Sequence, residues 1–258
     1  MSRARLLKHL DKIYPLRFAE SWDNVGLLVD SPSISQNLKI LLTIDLTKSV
    51  VQEAISQNYN FIIAYHPFIF SGIKKINQSN PQHESLIKLI QNNISVYSPH
   101  TSIDAIKGGV NDWLVEGVSK NNENVKILDE VEEGVGCGRL VTLSESIKLN
   151  ELINKIKIHL NVDNLLLSTN NQNKEIKTIA ICAGSGSSVF KGVDADLYFT
   201  GELSHHEVLY YKESDKAVIC ANHSNTERGY LQIVKNDLEK EGFQVSVSVE
   251  DKDPFQFV

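Results

Sequence analysis

The sequence contains eight histidines, and five of them stand just past short apolar, β-branched runs. His66 follows FIIAY, His100 follows ISVYSP, His205 and His206 follow LYFTGELS, and His223 follows AVICAN. If those runs are strands of a parallel sheet, the imidazoles collect beyond the carboxyl ends, where α/β proteins bind ligands. Two of the five also carry a carboxylate four residues later, in His100-Thr-Ser-Ile-Asp104 and His223-Ser-Asn-Thr-Glu227. Across a helical turn that spacing sets both side chains on one face. Neutral imidazole with carboxylate suits Zn²⁺, Mn²⁺, Fe²⁺ or Co²⁺ better than Ca²⁺ or Mg²⁺. A single motif of this kind is usually a helix-surface pair. Two at matching places point to one or two bound divalent ions, with a purely structural hydrogen-bond network as the alternative. His9, His83 and His159 fall on helical stretches and read as boundary residues.

Other chemistry is weakly signalled. Gly184, Ser185 and Gly186 open a glycine-serine turn after a strand, which could cradle a phosphate on backbone N–H groups or be a plain tight turn. It lacks the lysine of a P-loop. In SWDNVGLL, Asp23 and Asn24 read as a turn and Trp22 as core. Cys137, Cys182 and Cys220 are an odd number with no C-x-x-C spacing. Cys182 and Cys220 lie in apolar, β-branched runs and read as buried small hydrophobes of a reducing compartment, with a disulfide or zinc knuckle as the alternative. No nucleophile elbow or Ser-His-Asp order is present. Water activated by a metal, its pKa lowered from 15.7 to about 7, therefore leads over a side-chain nucleophile.

The elements that must position these residues alternate. Helical periodicity covers 2–13, then strands at 25–30 and 38–46 precede a helix at 47–57 capped by Thr47. A strand at 61–65, a helix at 83–92, a strand at 94–97, a turn at 100–104 and a helix near 110–118 follow. The second half repeats the order: helix 149–160, strands 165–168 and 178–183, strand 197–200, helix 203–213, strand 217–221, helix 226–241 and strand 245–249. The expected fold is α/β, two similar α/β/α halves with mainly parallel sheets and the metal site at the interface between them. The polar, turn-rich stretch 119–136 sets the expected boundary, giving halves 1–127 and 128–258.

Composition narrows the partners. Hydrophobic residues are 41% and charged residues 22%, ordinary for a globular chain. A formal charge of −6 argues against direct nucleic-acid binding or an anionic-membrane surface. No apolar run reaches the ~18 residues of a membrane span. The expected location is cytoplasmic, with a short mitochondrial address in the basic opening residues as the alternative.

SWDNVGLLVD, YHPFIF at 65–70, HTSIDAIKGGVND at 100–112, the GSGSS turn, TGELSHH at 200–206 and NHSNTERGY at 222–230 together resemble the NIF-three-like family. That family is also labelled GTP cyclohydrolase 1 type 2 homologues. The resemblance runs from about residue 20 to the C-terminus. It implies two α/β halves around a dinuclear metal centre and a toroidal homohexamer. It implies His66, Asp104, His223 and Glu227 as ligands, with His100, Glu202 and His205 lining the same cavity. Where many members have His-His-Pro, this chain has Tyr65-His66-Pro67, which bears on the second metal position. The function expected is a metal-dependent hydrolase of a small nucleotide-like or phosphorylated substrate. The alternative is a ring-shaped metal-binding scaffold or regulatory protein that meets a transcription factor.

Overall fold

A computed structural model describes residues 2–32, 37–119, 124–256 and 258. The fold is α/β with two mixed sheets, and the chain resolves into two compact units. The first comprises Met1–Ile103 with Tyr230–Lys252, the second Asp104–Gly229 with Asp253–Val258.

The first unit begins with α1 (Arg3–Ile13), which buries Leu6 and Leu10. Then come β1 (Gly26–Val29), β2 (Lys39–Thr43), α2 (Lys48–Ser56), β3 (Phe61–Ala64), α3 (Pro81–Gln91) and β4 (Ser95–Ser98). Thr47 caps α2 by accepting from the Val50 amide, as its sequence position predicts. Strands β2, β3 and β4 are parallel neighbours, and β1 pairs β4 antiparallel at the edge. Alternate residues face opposite sides, and both sides are buried. Leu41, Ile62, Ala64 and Val96 share a core with Val50, Val51 and Ala54 of α2 and with Leu86 and Leu89 of α3. Ile40, Leu42, Phe61 and Ile63, on the alternate positions, are equally inaccessible to water. The short helix α4 (Thr101–Ala105) occupies the turn expected after His100.

The second unit opens with α5 (Val110–Glu116) and then a hairpin, β5 (Val125–Glu132) and β6 (Val135–Lys148). The hairpin occupies much of the stretch read as a polar boundary. The residues 120–123 of that stretch lie outside the described ones, and the expected cut after residue 127 falls within β5. The pattern was hard to read because β5 is largely exposed and its turn rests on Gly134 at φ +76°. Helix α6 (Leu149–Leu160) follows, then β7 (Leu166–Ser168), β8 (Glu175–Ser185), β9 (Leu197–Glu202), α7 (His205–Glu213), β10 (Ala217–Cys220) and α8 (Asn225–Arg228). The sheet runs β5-β6-β8-β9-β10-β7. Among the described residues of this sheet, β8, β9 and β10 run parallel, while β5, β6 and β7 add antiparallel pairings. This sheet is therefore less parallel than expected.

The helix expected over 226–241 is two. It breaks after Gly229, where a Cβ would meet the Trp113 ring at 2.4 Å, and resumes as α9 (Leu231–Lys240). The last strand, β11 (Gln244–Val247), had been expected to close the second half. It pairs in parallel with β2 of the first sheet instead. Buried Glu53 holds this return by accepting from the Ser248 hydroxyl and the Val249 amide, while Asp251 accepts from the Ile44 amide.

Candidate metal centre

In the first unit, three adjacent parallel strands deliver polar side chains at their carboxyl ends. Asp45 follows β2, His66 follows β3 and His100 follows β4. The His66 amide still bonds the Ile44 carbonyl, so sheet geometry extends to the histidine. Its Nδ1 meets Asp45 Oδ1 at 2.9 Å. A carboxylate on Nδ1 keeps the proton there and leaves the lone pair on Nε2, the form a metal binds. His100 is built the same way, with Nδ1 at 2.8 Å from Asp23 Oδ1. Asp23 also accepts from the Asn24 amide and from the amide and hydroxyl of Thr101. Burial pushes the Asp23 carboxyl up, but the bonds from His100 and Thr101 outweigh it and hold the group below the usual carboxylate range. His100 itself sits at φ +34°, a left-handed backbone uncommon for a residue with a side chain. Tyr65 is buried, its ring edge-on to His66 at 5.5 Å and to His100 at 6.1 Å.

In the second unit, His223 follows β10 and places Nδ1 2.9 Å from Oε1 of Glu202, at the end of β9. Its Nε2 faces Oε1 of Glu227 at 3.4 Å, so the four-residue spacing does bring the pair together. Glu227 is only 2% exposed. Thr226 fixes the turn between them: its hydroxyl donates to the His223 carbonyl and accepts from the Gly184 amide. That bond commits the Gly184 amide inside the fold, so a phosphate cradle at this residue is not supported. The glycine has another use. At φ +61°, a Cβ there would stand 2.8 Å from both Glu227 Oε1 and His223 Nε2. Only glycine leaves room beside the pair. Ser185 is exposed, and a Cβ on Gly186 would meet the Phe190 ring at 2.4 Å.

Asp104 belongs to the same unit. Its carbonyl accepts from the Asn111 side chain, which in turn accepts from the Ala183 amide at the end of β8. Burial drives the Cys182 thiol well up, and the Asp104 and Glu227 carboxylates, both nearby, push it further. Cys182 and Cys220 are buried as expected, whereas Cys137 is half-buried. His205 opens α7, exposed, and its ring meets His206 rather than the His223 pair. The imidazole and carboxylate oxygens of His223 and Glu227 form a donor set able to hold a divalent ion.

Sequence reasoning missed three residues. Asp45 and Asp23 are the carboxylates behind His66 and His100, and Trp22 is 58% exposed rather than core. Asp45 could have been found by applying to carboxylates the strand-end rule that found the histidines.

A family model described as Duf34/NIF3 (NGG1p interacting factor 3) matches residues 1–254. The chain is 48% identical to NGG1-interacting factor 3 of Saccharomyces cerevisiae, over 97% of this chain and 95% of the yeast protein. It is 32% identical to the human NIF3-like protein 1, over 100% and 93% of the two chains. Among solved structures, a Staphylococcus aureus protein superposes with a TM-score of 0.83 at 28% identity, covering 100% of this chain and 99% of that one.

Proposed function

The chain belongs to the Duf34/NIF3 family, and from that premise we propose that it is a divalent-metal-dependent hydrolase of a small nucleotide-like or phosphorylated molecule. The observation that carries the reading is the His223–Glu227 pair, backed by Glu202 and cleared of side-chain bulk by Gly184. In this reading the ligands for one or two ions are His66, Asp104, His223 and Glu227.

A divalent ion held there supplies Lewis acidity and lowers the pKa of water from 15.7 to about 7. The protein's own residues do the rest. Asp45 and Glu202 hold the Nδ1 protons of His66 and His223, so each ring presents a lone pair in a fixed direction. His100, its Nδ1 held by Asp23, presents Nε2 as the group that accepts a proton during turnover, and as imidazolium it then faces the negative charge developing on the substrate. Elemental analysis of protein purified without added metal, then turnover assays on phosphoesters, nucleotides and cyclic amides with the metal found, tests this. A metal-free protein that gains no activity on loading would falsify it.

The name of the yeast relative favours a second reading, in which this chain also meets a protein partner, as a ring-shaped homohexamer whose ions are structural. Retained partner binding by a His223→Ala, Glu227→Ala protein that has lost its metal would separate that role from hydrolysis.

A further inference from the structure

Trp22 and Phe70 expose 58% and 53% of their surface. Their ring centroids lie 6.0 Å apart at 48°, and Trp22 meets the His100 ring edge-on at 6.0 Å. His100 continues the run to His66, ring to ring at 5.4 Å. The next residue, Asp23, is anchored by the bonds its carboxylate collects from Asn24, Thr101 and His100, which fixes the backbone beside Trp22. A large aromatic carried on an anchored backbone costs less entropy to engage, which favours a preformed binding surface. On another side Phe70 forms the wall of a cavity of about 510 Å³, together with Lys74, Lys75, Gln82 and His83. That volume lies within the ~300–1,000 Å³ of small-molecule sites. In a chain of net charge −6, two adjacent ammonium groups beside an aromatic surface select an anion.

We propose that Trp22 and Phe70 form a stacking shelf for a planar heteroaromatic ring bearing a phosphate-type group, with the anion meeting Lys74 and Lys75. The cavity's size and the lysine pair favour a small ligand over a protein surface. The inference deepens the hydrolase reading by naming its substrate class, but its test requires no turnover.

The chain has two tryptophans, and the other, Trp113, is 8% exposed, so quenching of emission by a stacked ring reports on Trp22. The protein as purified is titrated with AMP, UMP, adenosine and ribose 5-phosphate, by fluorescence and by calorimetry. Saturable quenching is expected from AMP and UMP, weaker quenching from adenosine, and none from ribose 5-phosphate. Trp22→Ala should weaken AMP binding by roughly 5- to 150-fold, the span of one base–aromatic stack. Trp22→Phe should retain most of the affinity in calorimetry. Lys74→Ala with Lys75→Ala should bring AMP down to the affinity of adenosine. Wild-type affinity in Trp22→Ala, equal binding of ribose 5-phosphate and AMP, or failure of both nucleotides to bind at millimolar concentration overturns the shelf. So does a change of oligomeric state in Trp22→Ala by sedimentation, which would make this face an interface between copies. Ring binding without any hydrolysis leaves the shelf standing and removes the hydrolase reading. Hydrolysis whose KM ignores Trp22→Ala does the reverse.

Discussion

Asp45 and His66 in the first unit, and Glu202 and His223 in the second, are built alike. Each carboxylate lies 21 residues before its histidine, and each meets Nδ1 at 2.9 Å. Each pair spans two adjacent parallel strands, β2 and β3 or β9 and β10, joined through one helix, α2 or α7. The same βαβ unit therefore orients an imidazole twice. What differs is the segment after the histidine. His223 runs into α8, which returns Glu227 to its Nε2. His66 runs into Pro67, and a residue before proline is pushed away from the helical region, which works against such a turn starting at the histidine. Tyr65 and His100 stand edge-on to its ring. The strand pair sets the histidine's tautomer and direction, and the following turn decides whether the same segment returns a second carboxylate to Nε2.

The largest test of that contrast removes the acidic turn. Replacing both His223 and Glu227 by alanine is expected to abolish metal binding in elemental analysis while circular dichroism stays that of the native fold. A full metal complement in the double variant would end the assignment of the second unit as the main anchor. Gly184→Ala should come close to the same loss without touching a ligand, since its Cβ would enter the space beside both donor atoms. The matching carboxylates come next. Asp45→Asn and Glu202→Gln are each expected to weaken metal binding by about 10- to 100-fold, the usual effect of removing an outer partner of a ligand histidine. If only one of them matters in a competitive chelator titration, the two strand pairs are alike in shape and not in use.

Asp23 gives a smaller effect, read in stability. Its folded carboxyl titrates below the unfolded value, so the stabilisation is present above the unfolded pKa of about 3.9 and disappears as pH falls through the lower folded one. Asp23→Asn should cost about 1–3 kcal/mol at neutral pH, through donors left poorly matched. The gap between wild type and variant in urea melts should close on acidification below pH ~4. A gap that widens instead would mean the group is not ionised at neutral pH.

Much of this was legible from residues alone, for identifiable reasons. Histidines placed after short β-branched runs announced the strand ends, and the spacing of His223 and Glu227 does bring their side chains together. His100 turns its Nδ1 to Asp23, 77 residues away, a pairing that no local pattern encodes. The β5–β6 hairpin escaped because β5 is largely exposed and the buried positions of β6 include Gly136, Gly138 and Arg139, which do not read as an apolar face. The return of β11 to the first sheet depends on buried Glu53 and Asp251, whose partners lie about two hundred positions away. Trp22, 58% exposed, departs from the expectation because aromatic residues are usually buried.

Tyr65 provides the finest probe of the contrast between the units. A phenol with pKa of about 10 is a poor ligand at neutral pH, whereas imidazole near pKa 6.5 is largely neutral and available. Tyr65 is 1% exposed, and its carbonyl is fixed by the Ser98 hydroxyl, so the ring's place between His66 and His100 is set by the sheet. Tyr65→Phe keeps that ring and both edge contacts, and should leave the tighter metal affinity within about twofold in calorimetric titration of the apo-protein with Zn²⁺ or Mn²⁺. Tyr65→His puts a second nitrogen donor at this strand end and should tighten the weaker of two binding events. It should also cost stability of about 1–3 kcal/mol, because a smaller polar ring replaces a buried phenol. Two equally tight ions in the wild type, or no gain from histidine, would show that the aromatic character of the first unit does not limit its metal binding. A loosened tight ion in Tyr65→Phe would show that the phenol oxygen itself coordinates, and the first unit would then be as much a ligand donor as the second.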